Sequence, residues 1–206
     1  MARRLPLSAW SLLSAVLALG ALAAWPVDRQ WLDWQGLHGD WPYRAFTAAF
    51  VHWTPRHLAA NLAGCAVLAW LGHTARLGRR AALAWVVAWP LSVAALALRP
   101  EITAFGGLSG VLHAGVAVAV VELLLMRRGR ERWIGLAIGI GLVLKIAGEA
   151  PLGPALQQVE GWDGMPVVPL AHLAGAVLGA GLTAVFIGVS IAVSKGVAGY
   201  HRRRPA

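Results

Sequence analysis

ITAFGGLSGVLHAGVAVAVV, residues 102–121, decides the fold: 20 uncharged residues held between Glu101 and Glu122. A helix rising ~1.5 Å per residue needs about 20 residues to cross the roughly 30 Å hydrocarbon layer of a bilayer. The pattern recurs on both sides of it. There are 23 uncharged residues between Arg4 and Asp28, 19 between Arg56 and Arg76, and 18 between Arg80 and Arg99. A fifth apolar run follows Arg132 and is interrupted by Lys145 and Glu149; a sixth holds 31 uncharged residues between Asp163 and Lys195, with its helical part starting near Pro169. The spacing predicts an all-α membrane protein, one domain over residues 1–206, with six transmembrane helices at about 7–25, 57–76, 81–98, 108–126, 133–149 and 169–194.

Composition agrees: 58% of residues are hydrophobic, 13% are charged and the mean hydropathy is +0.64, so lipid is the solvent for most of the chain. The charges also set an orientation. Arg3 and Arg4, Arg76 to Arg80, Arg127 to Arg132, and Lys195 with Arg202 to Arg204 fall on alternate connections and hold 13 of the 18 basic residues. An excess of Lys and Arg marks cytoplasmic loops, which predicts both termini in the cytoplasm. Asp28, Asp33, Asp40, Glu101, Glu149, Glu160 and Asp163 gather on the opposite side. The net charge of +9 is therefore topological. Nucleic-acid binding would need that charge on one soluble face, and it is dispersed over four membrane-flanking clusters.

The start, Met1 to Arg4 with an apolar run and Ala21-Leu22-Ala23, has features of a secretory signal. Its apolar part is longer than the ~7–15 residues of a signal core, and it reads as a true first helix. Cys65 is the lone cysteine, inside the second span, where a small apolar residue is expected. The first outer loop, about Pro26 to Arg56, contains Trp31, Trp34, Trp41 and Trp53, whose rings suit the membrane interface, so the loop is expected to lie against the bilayer. The other outer loops carry Pro100, Pro151, Pro154, Pro166 and Pro169, which end helices.

Polar residues inside spans cost ~2.5 kcal/mol or more when ionised, so each needs a reason. They are few: His57 and Asn61 on the second span, Ser109 and His113 on the fourth, Lys145 and Glu149 on the fifth, His172 on the sixth. Counted from the basic ends at ~1.5 Å per residue, His57, Asn61, Ser109 and His172 share one level in the outer third of the bilayer. Together they contain the parts that peptide hydrolysis requires. Ser109 opens a helix after Gly106-Gly107-Leu108, where amides have no intrahelical acceptor. His57 and Asn61, four apart, share a helix face and can donate to an oxyanion. His172 is the residue type suited to proton transfer near neutrality. Gly110 and Ala114 on one helix, with Ala171, Gly175 and Gly179 on the other, form small-residue stripes that allow close approach. No acidic residue is near enough in depth and sequence to orient the base, which predicts a Ser–His dyad. His113 lies four residues after Ser109 and is offset from it along the axis. Lys145 and Glu149 read as an ion pair that shields two costly charges. His52 and Arg44 read as ties of the outer loop, Arg44 alternatively as a lipid-interface anchor. Metal binding needs three or four convergent ligands, which these histidines would supply only by forfeiting the serine's purpose; no metal or cofactor is expected.

His52-Trp53-Thr54-Pro55-Arg56-His57-Leu58-Ala59-Ala60-Asn61, Gly107-Leu108-Ser109-Gly110, and Ala171-His172-Leu173-Ala174-Gly175 ahead of Gly179 resemble the rhomboid proteases over the whole chain. The resemblance implies a rhomboid-like bundle with Ser109 as nucleophile, His172 as base, and His57, Asn61 and the Ser109 amide as oxyanion donors. The family's Trp-Arg pair in the first outer loop stands here as Tyr43-Arg44, and its common tyrosine one turn after the serine stands as His113. The His113 departure, the compact length and the Lys145…Glu149 pair are most similar to the rhombosortase branch. That branch implies a bacterial inner-membrane enzyme opening to the periplasm and acting on transmembrane segments with C-terminal GlyGly sorting signals. The alternatives are a general rhomboid protease and an inactive protein that binds transmembrane helices. A small transporter should show repeat symmetry and helices broken at mid-membrane, and neither is visible.

Overall fold

The computed structural model describes residues 8–36 and 42–202, with 196–202 described by backbone alone. Arg3, Arg4, Asp40, Trp41, Arg203 and Arg204 and the expected start of the first helix at residue 7 lie outside the described residues. The described residues form six long helices: α1 (Ala9–Ala24), α3 (Pro55–Thr74), α4 (Arg79–Ala94), α5 (Ser109–Met126), α6 (Arg130–Gly148) and α7 (Pro169–Arg202). A single turn, α2 (Arg44–Thr47), lies in the first loop. Among the described residues three stretches are long and apolar enough to cross a membrane, Arg79–Leu98, Ser109–Met126 and Pro169–Lys195. Helix α1 is apolar but shorter. Helices α3 and α6 are less apolar because they carry His57, Asn61 and His73, or Glu131, Arg132 and Lys145. The protein is a multi-pass membrane bundle.

Local chemistry fixes several helix ends. The Thr54 hydroxyl accepts the His57 N–H at 3.1 Å and Pro55 occupies the first turn, which sets the phase of α3 and so where His57 and Asn61 face. Helix α6 begins at Arg130, before the expected 133, because Gly129 turns the chain with φ +57°. Helix α7 runs on to Arg202, past the expected 194, since Lys195 ends the apolar run without breaking the helix.

Helix α5 is central and packs on α3, α4, α6 and α7. A Cβ added at Gly175 would run into the Gly110 carbonyl, and one at Gly179 into the Ala114 carbonyl, so α5 and α7 touch backbone to backbone. Trp10 and Trp85 are fully buried in the layer of α1, α3, α4 and α5, with ring centroids 4.4 Å apart. Their indole N–H groups donate to the carbonyls of Leu68 and Val111, each at 2.7 Å, which satisfies donors that burial would otherwise penalise. At the basic end Arg80 reaches Glu122 with two bonds, at 3.1 and 2.9 Å, tying α4 to α5.

The first loop departs from its expected pose. Trp31 and Trp53 are at least partly exposed, but Trp34 is 1% exposed and packs with Phe105, Ile102 and Ala45. Main-chain bonds of 2.8 and 3.0 Å pair Trp34 with Phe105, pinning the loop to the segment before α5. Its tryptophans are thus not all membrane-interface residues; one anchors the loop to the bundle. Arg44 is buried and donates to the Gln30 and Asp33 carbonyls, both at 2.8 Å, with the Asp33 carboxylate at 3.3 Å. It staples the loop from within, which excludes the lipid-anchor reading. The segment before α7 forms a small antiparallel hairpin, β1 (Gln157–Gln158) with β2 (Pro166–Val167), where the sequence predicts only a Pro-rich loop. Positive φ at Gly161, Asp163 and Gly164 makes its turn possible.

Candidate active site

A cavity of about 730 Å³ lies between α3, α5, α6, α7 and the hairpin, lined among others by His57, Asn61, Ser109, Lys145, Glu149 and His172. Polar residues from four helices therefore meet in one place. Ser109 is the first residue of α5, and the approach to it is narrow. Gly106 abuts Val51, where a Cβ would come within 2.7 Å of that side chain. Gly107 has φ +134° and donates its N–H to the Ala48 carbonyl at 2.9 Å.

His172 stands in the first turn of α7, with its Nε2 2.9 Å from the Ser109 Oγ. Its Nδ1 is 2.7 Å from the Glu149 Oε2. An ionised carboxylate only accepts, so Nδ1 carries the proton and Nε2 is left to accept the serine O–H. The expectation of a base without a carboxylate is corrected here. Glu149 ends α6 as its C-cap residue, and its side chain crosses from there to α7. A sequence count gives its depth but not that direction.

The same logic fixes His113. Its Nδ1 is 2.6 Å from the Ser109 carbonyl oxygen and must donate, so Nε2 accepts from the Lys145 ammonium, also at 2.6 Å. The His113 and His172 rings stack with centroids 4.2 Å apart and planes 16° from parallel. Lys145 also donates to the Glu149 Oε1 at 2.9 Å, which is the ion pair expected between them. Its 3.1 Å approach to His172 Nδ1 is a contact only, since that nitrogen already bears the proton given to Glu149.

His57 and Asn61 are each 5% exposed. His57 Nδ1 and Asn61 Nδ2 have no hydrogen-bond partner among the described residues. A Cβ on Gly107 would lie 2.8 Å from His57 Nε2 and 4.0 Å from Asn61 Nδ2, so both side chains converge on the backbone just ahead of Ser109. His52 donates from Nδ1 to the Phe50 carbonyl at 3.0 Å and packs its ring 4.8 Å from that of His57. Burial holds the His52 imidazole below its ordinary pKa, which suits a neutral spacer. Arg44 is not among the cavity's lining. Gly110 faces the Ala171 carbonyl, 2.8 Å from where its Cβ would be. Trp162 and Met165, which the sequence does not single out, line the cavity from the hairpin, and the Trp162 ring stands edge-on to His57 at 6.1 Å. The one hint to Trp162 is its place in the turn Gly161-Trp162-Asp163-Gly164.

Fold and site define a class: a polytopic helical membrane protein that holds a serine, an imidazole and spare donors around a half-open cavity. A model of the Rhomboid domain matches residues 40–189, which is most of the chain, and the protein belongs to the rhomboid family, known for intramembrane serine proteases. No curated protein matches the sequence.

Proposed function

We propose that the protein is an intramembrane serine endopeptidase of the rhombosortase branch. The observation that carries the proposal is the 2.9 Å bond from Ser109 to His172, beside an Asn61 Nδ2 that has no partner among the described residues. Ser109 Oγ attacks the scissile carbonyl while His172 Nε2 takes its proton. The Ser109 amide, Asn61 and His57 stabilise the oxyanion, donors of the kind worth ~10²–10³ in kcat each. His172 then protonates the leaving amine, giving an acyl-enzyme that a water, activated by the same imidazole, hydrolyses. No cofactor enters these steps.

The substrate is a transmembrane segment that enters from the side and unwinds near its outer end. His113 on the base and the Lys145–Glu149 pair support the rhombosortase branch, and hence C-terminal GlyGly tails of exported bacterial proteins. The charge distribution supports six spans in the inner membrane, both termini cytoplasmic and the cavity open to the periplasm. The test co-expresses the protein with a GlyGly-tailed exported substrate and compares Ser109→Ala. Processing lost in the variant is expected. Equal processing removes the protease reading, and cleavage of other transmembrane segments but not GlyGly tails moves the protein to the general rhomboid branch.

A further inference from the structure

We propose that Glu149 is the positioning residue of the base, holding the His172 Nδ1–H through Oε2, and that Lys145 locks Glu149 in that pose through Oε1. This rests on the protease reading above. The chain of contacts is continuous: Lys145 to Glu149 Oε1 at 2.9 Å, Glu149 Oε2 to His172 Nδ1 at 2.7 Å, His172 Nε2 to Ser109 Oγ at 2.9 Å. Among the described residues each carboxylate oxygen has one partner. An i,i+4 ion pair on a helix surface contributes only ~0.3–0.5 kcal/mol and requires no third group. Here the free oxygen is turned across to another helix and onto the base.

The ammonium makes the carboxylate necessary. Lys145 Nζ lies 3.1 Å from His172 Nδ1. With Glu149 removed, the lysine is the nearest partner of that nitrogen, and an ammonium can only donate. Nδ1 would then become an acceptor and the imidazole proton would move to Nε2, which can no longer accept from Ser109. Glu149 prevents this by claiming both the lysine and the Nδ1–H. His113 completes the enclosure as a neutral plate, its own Nδ1–H spent on the Ser109 carbonyl and its Nε2 on Lys145. Glu149 remains ionised throughout, and every proton that moves passes through His172 Nε2.

A wrong His172 tautomer leaves a signature that loss of a merely structural glutamate would not. Glu149→Ala, Lys145→Met and the double variant are purified in detergent and assayed on a fluorogenic transmembrane peptide with Gly-Gly ahead of its apolar run. Glu149→Ala is expected to lower kcat by ~10³–10⁴, the scale seen when a triad carboxylate is lost, with KM changed less than about threefold. The double variant is expected to recover at least ~10-fold over Glu149→Ala, because the competing ammonium is gone. A double variant as poor as the single one, or a loss confined to KM, overturns the proposal. Should Glu149→Ala unfold in a thermal melt, Glu149→Gln takes its place in the same cycle and the same outcomes decide. An unmodified protein that cleaves neither this peptide nor a transmembrane peptide lacking Gly-Gly sinks the protease reading instead, so the two failures are distinguishable.

Discussion

Gly175→Ala adds one methyl group about one turn from His172, at the closest contact between α5 and α7. The new Cβ would overlap the Gly110 carbonyl, and the Gly110 main chain directly follows Ser109. Restoring an ordinary separation of ~3.5 Å requires α5 and α7 to part by about 1 Å or more. The serine and the base sit on those two helices, and their 2.9 Å bond would open beyond hydrogen-bonding range. A misplacement of ~1 Å costs on the order of 10² in rate, while overpacking costs ~1–3 kcal/mol in stability. Gly181 on the same helix has open space around its Cα, so Gly181→Ala should be neutral or slightly stabilising, by ~1 kcal/mol at most. The assay is peptide cleavage in detergent alongside thermal unfolding for both variants. Full activity in a folded Gly175→Ala would refute the claim that backbone contact between these helices sets the catalytic distance.

Asn61→Ala should lower kcat by ~10²–10³ with KM nearly unchanged, because the amide is proposed to meet the substrate oxygen only once it is an anion; a KM-only effect in steady-state kinetics contradicts this. Arg44→Ala leaves the buried Asp33 carboxylate without its cation, with only the Gln35 amide still donating to it, and removes the Arg44 donor from the Asp33 carbonyl, so unfolding free energy should fall by ~3 kcal/mol, while Arg44→Ala with Asp33→Asn should lose less. Additive losses in chemical denaturation would show that the pair is not coupled.

The parts legible in the sequence are those governed by one-dimensional regularities. Charge spacing places α3, α4, α5 and α7 within a few residues of their observed starts, and rise per residue puts Ser109, His57, Asn61 and His172 at one depth. The small-residue stripe shows which faces of α5 and α7 approach. What spacing does not encode is the azimuth of a side chain at a helix end. Glu149 reads as Lys145's partner, which it is, yet its second oxygen belongs to His172, and only the placement of α6 against α5 and α7 reveals that. Trp34 and Trp53 look alike in sequence. Strand-like pairing with Phe105 buries the first, and no periodicity announces an isolated pair of residues. The hairpin bearing Trp162 is hidden for the same reason, since two-residue strands carry too little pattern to detect.

Activation of Ser109 by His172 is read directly by covalent capture of the nucleophile. The detergent-purified protein is treated with a fluorophosphonate and examined by intact and peptide mass spectrometry. A single adduct on Ser109, abolished by His172→Ala in a protein that still unfolds cooperatively, is the predicted result. An adduct on another residue, or undiminished labelling of Ser109 without His172, would show that this serine is not activated by that imidazole.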